Sequence, residues 1–429
     1  MKQHRKRLTR SVQVALLAAM SVVTGSAGMT GAAAQPVSAP DTYISYWDGV
    51  GNQAFTASGL AATEGFVIFA YAGIAEYDSV MAIDGGHEPF AVDTDAPGDA
   101  SPEAAVAAAA HAILVHYLPE QAAAIIDPAY AQSLVTIPDG QAKQDGVATG
   151  EGIAAALIAL RADDGFRAPV TYTPPDPPIP GVWIPTSPAP PNGTYMPGMR
   201  PFSLDSPGQF RPGGPPPLSS RRWAEDYNEV KEIGSRTSMT RTPEQTLAAR
   251  FWGEPPVQQA HASFRKFILD HQLNIADAAR FMAMMTVTRA DAMIACFDAK
   301  YHYAFWRPIT AIHAGETDGN DATAAEPDWL PLLPATPNHP ENPSAHSCVT
   351  PATGRVIARF LGTNQIHYTI PSITGLGDRH YDRVQDLDYE VTNARIWGGI
   401  HFRTAINQGS QLGIKVASQV LAHHFHPTQ

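Results

Sequence analysis

The chain has 429 residues, a net charge of −12 at pH 7 and 44% apolar residues. This length and apolar content are sufficient to bury one large hydrophobic core or two smaller ones. The acidity argues against partners that are themselves negatively charged, so we expect no nucleic acid and no anionic membrane surface to be bound.

Residues 1–34 have the pattern of a secretory signal peptide. Basic residues come first, a mainly apolar run follows from Val14 to Val23, and Ala32-Ala33-Ala34 provides an Ala-x-Ala cleavage site. A disordered tail or a membrane anchor is the alternative interpretation. Removing these residues, which carry five basic and no acidic side chains, lowers the net charge from −12 to −17. We predict a secreted or periplasmic protein.

Later runs are too short or too polar for a membrane-spanning helix. A span needs about 18–20 uninterrupted apolar residues. The best candidate, residues 281–297, contains Arg289 and Asp291. We therefore predict no integral-membrane contact.

Residues 35–167 are predicted to form an N-terminal helical region. Apolar periodicity indicates helices at residues 47–60, 63–82, 102–118 and 140–163. The third begins with Ser101-Pro102-Glu103, in which serine caps the helix and proline takes its first position.

Residues 168–219 are rich in proline and glycine, which is typical of a flexible linker. Large apolar side chains are interspersed in this segment, however, and a linker would not need them: Trp183, Tyr195, Met196, Phe202 and Phe210. We favour an extended segment that wraps on the helices and helps to form the mouth of a site.

Residues 220–429 are predicted to form a C-terminal helical region that carries the functional site. Thr242-Pro243-Glu244-Gln245 is a capping box, and helices are indicated at residues 247–252, 260–273, 275–299, 348–361 and 404–425. The short run 366–370 is β-like. The predicted fold is therefore all-α, with the site in the core of a helical bundle.

Three blocks in this region combine fixed cations with histidines. Lys300 and Arg307 are seven residues apart, so on one continuous helix they would lie on nearly the same face, with Pro308 ending the helix. Pro343-Ser344-Ala345-His346 is a small-residue turn before a predicted helix, whose N-terminus favours anions. These two blocks are suited to a tetrahedral oxyanion.

The third block places Arg395 and His401 six residues apart, which are different faces of an unbroken helix. Gly398-Gly399 lies between them and permits a break that could bring both side chains inward. We expect Arg395 and His401 to join the same oxyanion site.

At these three blocks the chain resembles the superfamily of vanadium-dependent haloperoxidases and type 2 phosphatidic acid phosphatases. The resemblance implies a helical bundle in which His401 bonds the central atom of the oxyanion, vanadium or phosphorus. It implies that His346 is the acid–base group and that the equatorial oxygens are held by Lys300, Arg307, Ser344, the Ala345 N–H and Arg395.

The chain departs from the pattern of the superfamily at three alanines. Ala345 replaces glycine, Ala394 replaces serine, and Ala405 replaces the aspartate four residues after the histidine. If that aspartate orients a histidine or balances charge, another group must do so here. The upstream candidates, among which the sequence does not choose, are Asp378, Asp382, Asp386 and Asp388.

Two further features extend the prediction. His339, seven residues before His346, matches the pattern of the resembling bromoperoxidases, which points to bromide or iodide. Cys296 and Cys348 flank the first two blocks and are either joined by a disulfide, which export permits, or two buried free thiols.

The leading hypothesis is an exported haloperoxidase with vanadate as cofactor, and with hydrogen peroxide, a halide and a small organic acceptor as partners. The first alternative is a soluble acid phosphatase that works through a phosphohistidine on His401 and needs no vanadate. The second is a non-catalytic oxyanion-binding protein. The sequence does not indicate the oligomeric state.

Overall fold

A computed structural model describes residues 42–428 of the chain. The predicted signal peptide, residues 1–34, lies outside the described residues. The described part contains thirteen α-helices and a two-stranded antiparallel sheet, which confirms the all-α prediction. The elements are α1 Tyr43–Ser58, α2 Ala62–Asp84, α3 Pro102–Tyr117, α4 Asp127–Val135, α5 Gln141–Arg161, α6 Arg221–Ile233, α7 Pro243–Phe251, α8 Pro256–Asp270, α9 Ile275–Tyr303, α10 Pro308–His313, α11 Ala345–Leu361, β1 Gln365–Ile370, β2 Arg379–Arg383, α12 Val384–Trp397 and α13 Arg403–His423.

The helix caps read from the sequence are present. The Ser101 hydroxyl accepts a hydrogen bond from the Ala104 N–H at 3.2 Å, with Pro102 as the first residue of α3. Thr242 and Gln245 form the capping box of α7. Each cap satisfies backbone N–H groups that have no partner within the helix. The strand at residues 366–370 is confirmed, whereas β2 and the helices α4, α6, α10 and α12 were not predicted.

The long central helices α2 and α9 pack against each other and are buried over most of their length. By length and composition α2 could cross a membrane, but 89% of its apolar window is buried inside the protein. A helix that is apolar on all sides is typical of a large core. The most span-like helix is thus α2, not the segment 281–297 of α9 that the sequence suggested.

The helices that carry the predicted site pack closely. A Cβ at Gly413 of α13 would lie 1.8 Å from the Cys348 carbonyl oxygen of α11, so only glycine permits this crossing. The contact holds the start of α11, and with it Ser344, against α13. The N-terminus of α11 is thereby fixed in the core of the C-terminal region.

The segment 168–219 contains one short 3₁₀ turn and is otherwise irregular. Trp183 is fully buried, and the bridge between Val182 and Phe305 ties the segment to the end of α9. Asp291 of α9 accepts hydrogen bonds from the Phe202 and Ser203 N–H groups, both at 2.7 Å. Buried side chains and backbone bonds therefore anchor the segment to α9.

Candidate oxyanion-binding site

Lys300 and Arg307 do not lie on one helix, so that expectation was wrong. Helix α9 ends at Tyr303 because Ala304 takes the left-handed conformation, with φ of 44°. Arg307 is the N-cap of the next helix, and Pro308 begins α10 instead of ending α9. Both side chains are nevertheless fully buried. Burial lowers the pKa of both groups, and the nearby charge of Arg307 lowers that of Lys300 further.

The Ser344 turn lies at a helix N-terminus. Ser344 is the N-cap of α11 and Ala345 its first residue. The Ser344 hydroxyl is buried and has no hydrogen-bond partner, and the same holds for Ser347 one turn later. Since a buried hydroxyl without a partner is costly, these groups indicate a place for a ligand.

Arg395 and His401 are separated by the break that the glycines predicted. Helix α12 ends at Trp397, and Gly399 has φ of 77°. A Cβ at Gly399 would also lie 2.5 Å from the Gly234 carbonyl oxygen. The chain therefore turns inward here, and both Arg395 and His401 are buried.

Glu341 fixes the orientation of His401. His401 Nδ1 lies 2.8 Å from Glu341 Oε1, which also accepts a hydrogen bond from the Phe402 N–H at 2.9 Å. Donation from Nδ1–H to this oxygen leaves Nε2 without a proton, 3.3 Å from Arg307 Nη1. Nε2 is therefore free to act as a ligand or nucleophile.

Sequence reasoning missed Glu341 and offered four aspartates in its place. In the structure Asp378 accepts from the Ser372 N–H, Asp382 pairs with His367, and Asp386 pairs with Arg383. Asp388 is half-buried, and one of its carboxylate oxygens is buried without a partner. The sequence feature that could have identified Glu341 is its position in the 339–346 block, between His339 and the serine turn.

The three cations of the site are bound mainly by backbone carbonyls. Lys300 donates to the carbonyls of Pro340, Glu341 and Pro343, and Arg395 to that of Trp252. Arg307 donates to the carbonyls of His339 and Ile400. Within residues 42–428, no carboxylate lies within 4 Å of these three charges. Arg395 Nε is buried without any partner.

Burial shifts the pKa of every charged group in the site. It lowers the pKa of Lys300 to about 8, of Arg307 to about 10 and of Arg395 to about 9. Burial raises the pKa of Glu341 to about 8, although the Phe402 N–H, Lys300 and Arg307 oppose this shift. A bound anion would compensate the excess of positive charge.

The three histidines of the site are neutral. Burial and the adjacent cations hold the pKa values of His339, His346 and His401 well below the ordinary range. His339 lies against Arg307, with its ring nitrogen Nδ1 3.0 Å from Arg307 Nη2. A neutral His346 can accept a proton, as an acid–base group requires.

A cavity of about 380 Å³, called the main cavity below, leads to these residues. His339, His346, Arg395 and His401 contribute to its polar end. Its walls are largely apolar and include Phe66, Met293, Phe297, Leu333 and Val349. Asn192, from the proline-rich segment, also lines it. Its size and apolar lining are typical of sites for small organic molecules.

The two cysteines are free thiols in the structure. Both are fully buried, and burial raises the pKa of Cys348. Cys296 Sγ lies 3.8 Å from the Pro343 carbonyl oxygen. Of the two alternatives for Cys296 and Cys348, the structure has the unbonded one.

The residues present fit a tetrahedral oxyanion such as vanadate or phosphate. The unpartnered Ser344 hydroxyl and Arg395 Nε are donors, and the N-terminus of α11 supplies the Ala345 N–H. Ala394 and Ala405, where the superfamily has serine and aspartate, are buried apolar positions. Glu341 provides the carboxylate that Ala405 lacks.

Comparisons with known proteins agree with this geometry. The family model of the VCPO second helical-bundle domain matches residues 280–429, which include the charged residues and histidines of the site. A vanadium chloroperoxidase from Curvularia inaequalis is 26% identical over 300 residues, covering 56% of this chain and 49% of that protein. The chain thus spans about half the length of this curated relative.

Solved structures share the fold over most of the chain. A bacterial vanadium-dependent iodoperoxidase has a TM-score of 0.79 at 22% identity and covers 92% of this chain and 98% of its own. A holo-type bacterial vanadium-dependent chloroperoxidase has a TM-score of 0.69 at 17% identity, covering 90% and 98%. Residues 280–429 thus match the family of VCPO second helical-bundle domains, and most of the chain has the fold of the vanadium-dependent haloperoxidases.

Proposed function

We propose that the protein is a vanadium-dependent haloperoxidase that oxidises a halide with hydrogen peroxide. The observation that carries the proposal is the environment of His401. Its Nδ1 is bound by Glu341, and its Nε2 lies next to Arg307 in a site with three buried cations and one carboxylate. Such a site is built to hold a multiply charged oxyanion on a neutral imidazole.

The residues would divide the work as follows. His401 Nε2 would hold vanadate, and its equatorial oxygens would bind Lys300, Arg307 and Arg395. Ser344 and the N–H of Ala345 would donate to the same oxygens. Bound vanadate would supply a Lewis-acidic centre that activates hydrogen peroxide toward the halide without a change in its own oxidation state.

His346 would move protons at the mouth of the site. It lines the main cavity beside Arg395 and His401, and its ring is unprotonated in the anion-free protein. The negative charge of a bound oxyanion would raise the pKa of His346 toward the range in which it can exchange protons with hydrogen peroxide. The apolar walls of the main cavity would receive the small organic acceptor of the oxidised halogen.

Bromide or iodide is the proposed halide. The support is His339, which contacts Arg307 and packs at a tilt against Phe297, with ring centroids 5.0 Å apart. A neutral imidazole here would modulate the charge that Arg307 presents to the oxyanion. We further propose that the protein is exported, on the strength of the residue 1–34 pattern.

A soluble acid phosphatase is the second candidate. Its support is the same unprotonated His401 Nε2, which could attack a phosphomonoester, with His346 protonating the leaving alcohol. A non-catalytic oxyanion-binding protein would have no use for His346 in the cavity wall.

The test is a parallel assay of purified protein that has been stripped and then supplied with orthovanadate. One arm follows bromination of a dye with hydrogen peroxide and bromide, and the other follows hydrolysis of p-nitrophenyl phosphate without vanadate. His401→Ala should abolish the activity. His302→Ala, at an exposed position in the last turn of α9, is the matched control and should leave it unchanged.

Vanadate-dependent bromination that His401→Ala removes would support the haloperoxidase. Hydrolysis without bromination would replace it with the phosphatase. Vanadate binding with neither activity, unaffected by His346→Ala, would leave an oxyanion-binding protein.

A further inference from the structure

Outside the oxyanion site, Arg289 is a further buried cation without a carboxylate partner. It lies on α9, three turns before Lys300, and is 5% exposed. Its Nη1 donates to the Thr353 hydroxyl at 2.7 Å, and no carboxylate lies within 4 Å of it in the described range 42–428. The guanidinium lies over the rings of Phe66 and Phe264, at 5.0 and 5.4 Å.

Such an isolated charge is costly unless something compensates it. Burial lowers the pKa of Arg289 to about 10, so the group remains charged at neutral pH. The aromatic rings compensate only part of the lost hydration. A buried charge without a counter-ion remains unfavourable. An anion next to Arg289 would supply the missing charge.

Arg289 lines a cavity of about 30 Å³, called the Arg289 cavity below. A cavity needs about 10–15 Å³ to hold one water molecule, so this one accommodates about two waters or one monatomic ion. It is too small for an organic molecule. The size of the Arg289 cavity therefore favours a monatomic anion over an organic one.

The hydrogen-bonding groups of the Arg289 cavity are mostly occupied. Ser263 donates to the Ala260 carbonyl and pairs with the Tyr368 hydroxyl. Thr353 donates to the Val349 carbonyl at 2.9 Å. An oxyanion needs several directed donors, whereas a monatomic ion needs mainly charge. The weakly hydrated guanidinium of Arg289 and the rings behind it suit a large, weakly hydrated halide.

The Arg289 cavity adjoins the main cavity at the acid–base histidine. Trp252, Pro256, His346 and Val349 line both cavities. The charge of Arg289 is one of the causes that lower the pKa of His346. An ion beside Arg289 would therefore lie behind His346 as seen from the oxyanion site.

We propose that the Arg289 cavity is a halide site, in which Arg289 holds bromide or iodide behind His346. The role of this ion as a reactant rests on the proposed haloperoxidase function. The binding of the ion does not, because it follows from the charge and size of the cavity. The two can therefore be tested separately.

The first test is anomalous diffraction from crystals of the vanadate-free protein soaked in sodium bromide. The proposal expects a bromine peak within contact distance of Arg289. In solution, bromide should raise the unfolding midpoint in a saturable way relative to the same concentration of sodium gluconate. The absence of both signals would overturn the proposal.

The second test compares Arg289→Met with Arg280→Met. Methionine keeps the length and apolar contacts of the side chain and removes the charge. Arg280 is a matched control on the same helix, since it is partly buried and lies 4.7 Å from the Phe360 ring. Arg289→Met should weaken bromide binding by about 10- to 100-fold, the effect of losing one contact to a charged group. Arg280→Met should not weaken it.

Bromination kinetics of the vanadate-loaded variants test the halide site and the haloperoxidase function separately. Arg289→Met should raise the KM for bromide by about 10-fold or more and leave the KM for hydrogen peroxide unchanged. Bromide bound at Arg289 without any bromination would overturn the haloperoxidase and leave the anion site. Bromination with equal bromide KM values in both variants would overturn the role of the bound ion as the reactant. If Arg289→Met does not fold, the crystal soak decides.

Discussion

Two buried charge clusters of this protein differ in how they are balanced. The first cluster joins Arg161 and Asp164, which are 7% and 2% exposed. Arg161 donates to Asp164 at 2.7 Å and to the Pro201 carbonyl at 3.0 Å, and Tyr71 donates to the same carboxylate. One cation meets one carboxylate, and the surrounding backbone completes the hydrogen bonds.

The second cluster is the oxyanion site, where three cations face one carboxylate. The pKa of that carboxylate, Glu341, is itself raised to about 8 by burial. Ser344 Oγ and Arg395 Nε remain without partners. In a cluster that only stabilises the fold, each charge is paired with an opposite charge of the same cluster. A binding cluster keeps charges and donors unsatisfied until its ligand arrives, at a cost in stability.

Removing one cation from each cluster should give opposite results. Arg161→Met should lower the free energy of unfolding by about 3–5 kcal/mol, because it leaves Asp164 buried and unpaired. Arg395→Met should change it by about 1 kcal/mol or less, because it removes a charge that has no carboxylate. Arg395→Met should instead weaken orthovanadate binding by about 30-fold or more.

Urea unfolding and calorimetric titration with orthovanadate measure the two effects. Arg221→Met is the control for both, since Arg221 lies at the surface with Glu225 as its partner. If Arg395→Met destabilises the vanadate-free protein as much as Arg161→Met, the two clusters do not differ as described.

The single carboxylate of the oxyanion site, Glu341, should affect oxyanion binding because it orients His401. Glu341→Ala removes the acceptor of Nδ1–H and should weaken orthovanadate binding by about 10- to 100-fold, as the loss of a group that orients a ligand does. Glu341→Gln keeps a carbonyl acceptor and should lose less. Asp386→Ala, at an exposed position paired with Arg383, tests one of the aspartates that the sequence suggested and should have no effect. Equal losses from Glu341→Ala and Asp386→Ala would contradict the assignment of Glu341.

Local sequence signals were sufficient for many of the helices and for part of the site. Apolar periodicity and caps predicted α1, α3 and α7, because these features act within a few residues. The spacing of the three blocks led to Arg395 and His401, which the glycine break brings inward. Such information is contained in short stretches of chain.

Non-local geometry was not predictable in the same way. Ala304 ends α9 in a left-handed conformation that its sequence does not require, so the relation of Lys300 to Arg307 was misjudged. Glu341 lies 60 residues from His401 and reaches it through the packing of α11 on α13. Pairing across that distance depends on the whole fold.

The pH dependence of stability should show the cost of the buried Glu341. Its folded pKa of about 8 lies above its ordinary value of 4.5, so the folded state keeps a proton that the unfolded state has lost. Stability from this group is therefore lost as the pH rises from about 4.5 to about 8. Lys300, with its pKa lowered to about 8, has the opposite effect only above that pH.

Between pH 5 and pH 8, the free energy of unfolding of the unchanged protein should fall by about 1–2 kcal/mol more than that of the Glu341→Gln variant. The measurement is urea unfolding of both proteins at several pH values in that window. Asp78 and Asp291, whose pKa values are raised to about 6, act in the same direction, so only the difference between the proteins is informative. Parallel curves for the two proteins would mean that Glu341 is not the source.

The smallest effect is expected from restoring the glycine of the superfamily with Ala345→Gly. Ala345 begins α11, where glycine costs about 0.5–1 kcal/mol of stability and leaves the backbone N–H in place. If the charge imbalance of the site provides the affinity, orthovanadate binding should stay within about threefold, since the change removes no charge. Calorimetric titration decides, with Ala358→Gly later in the same helix as the control for the helix cost. Binding that tightens by more than about tenfold, or 1.4 kcal/mol, would mean that the methyl group obstructs the helix N-terminus and that the site is limited by shape as well as charge.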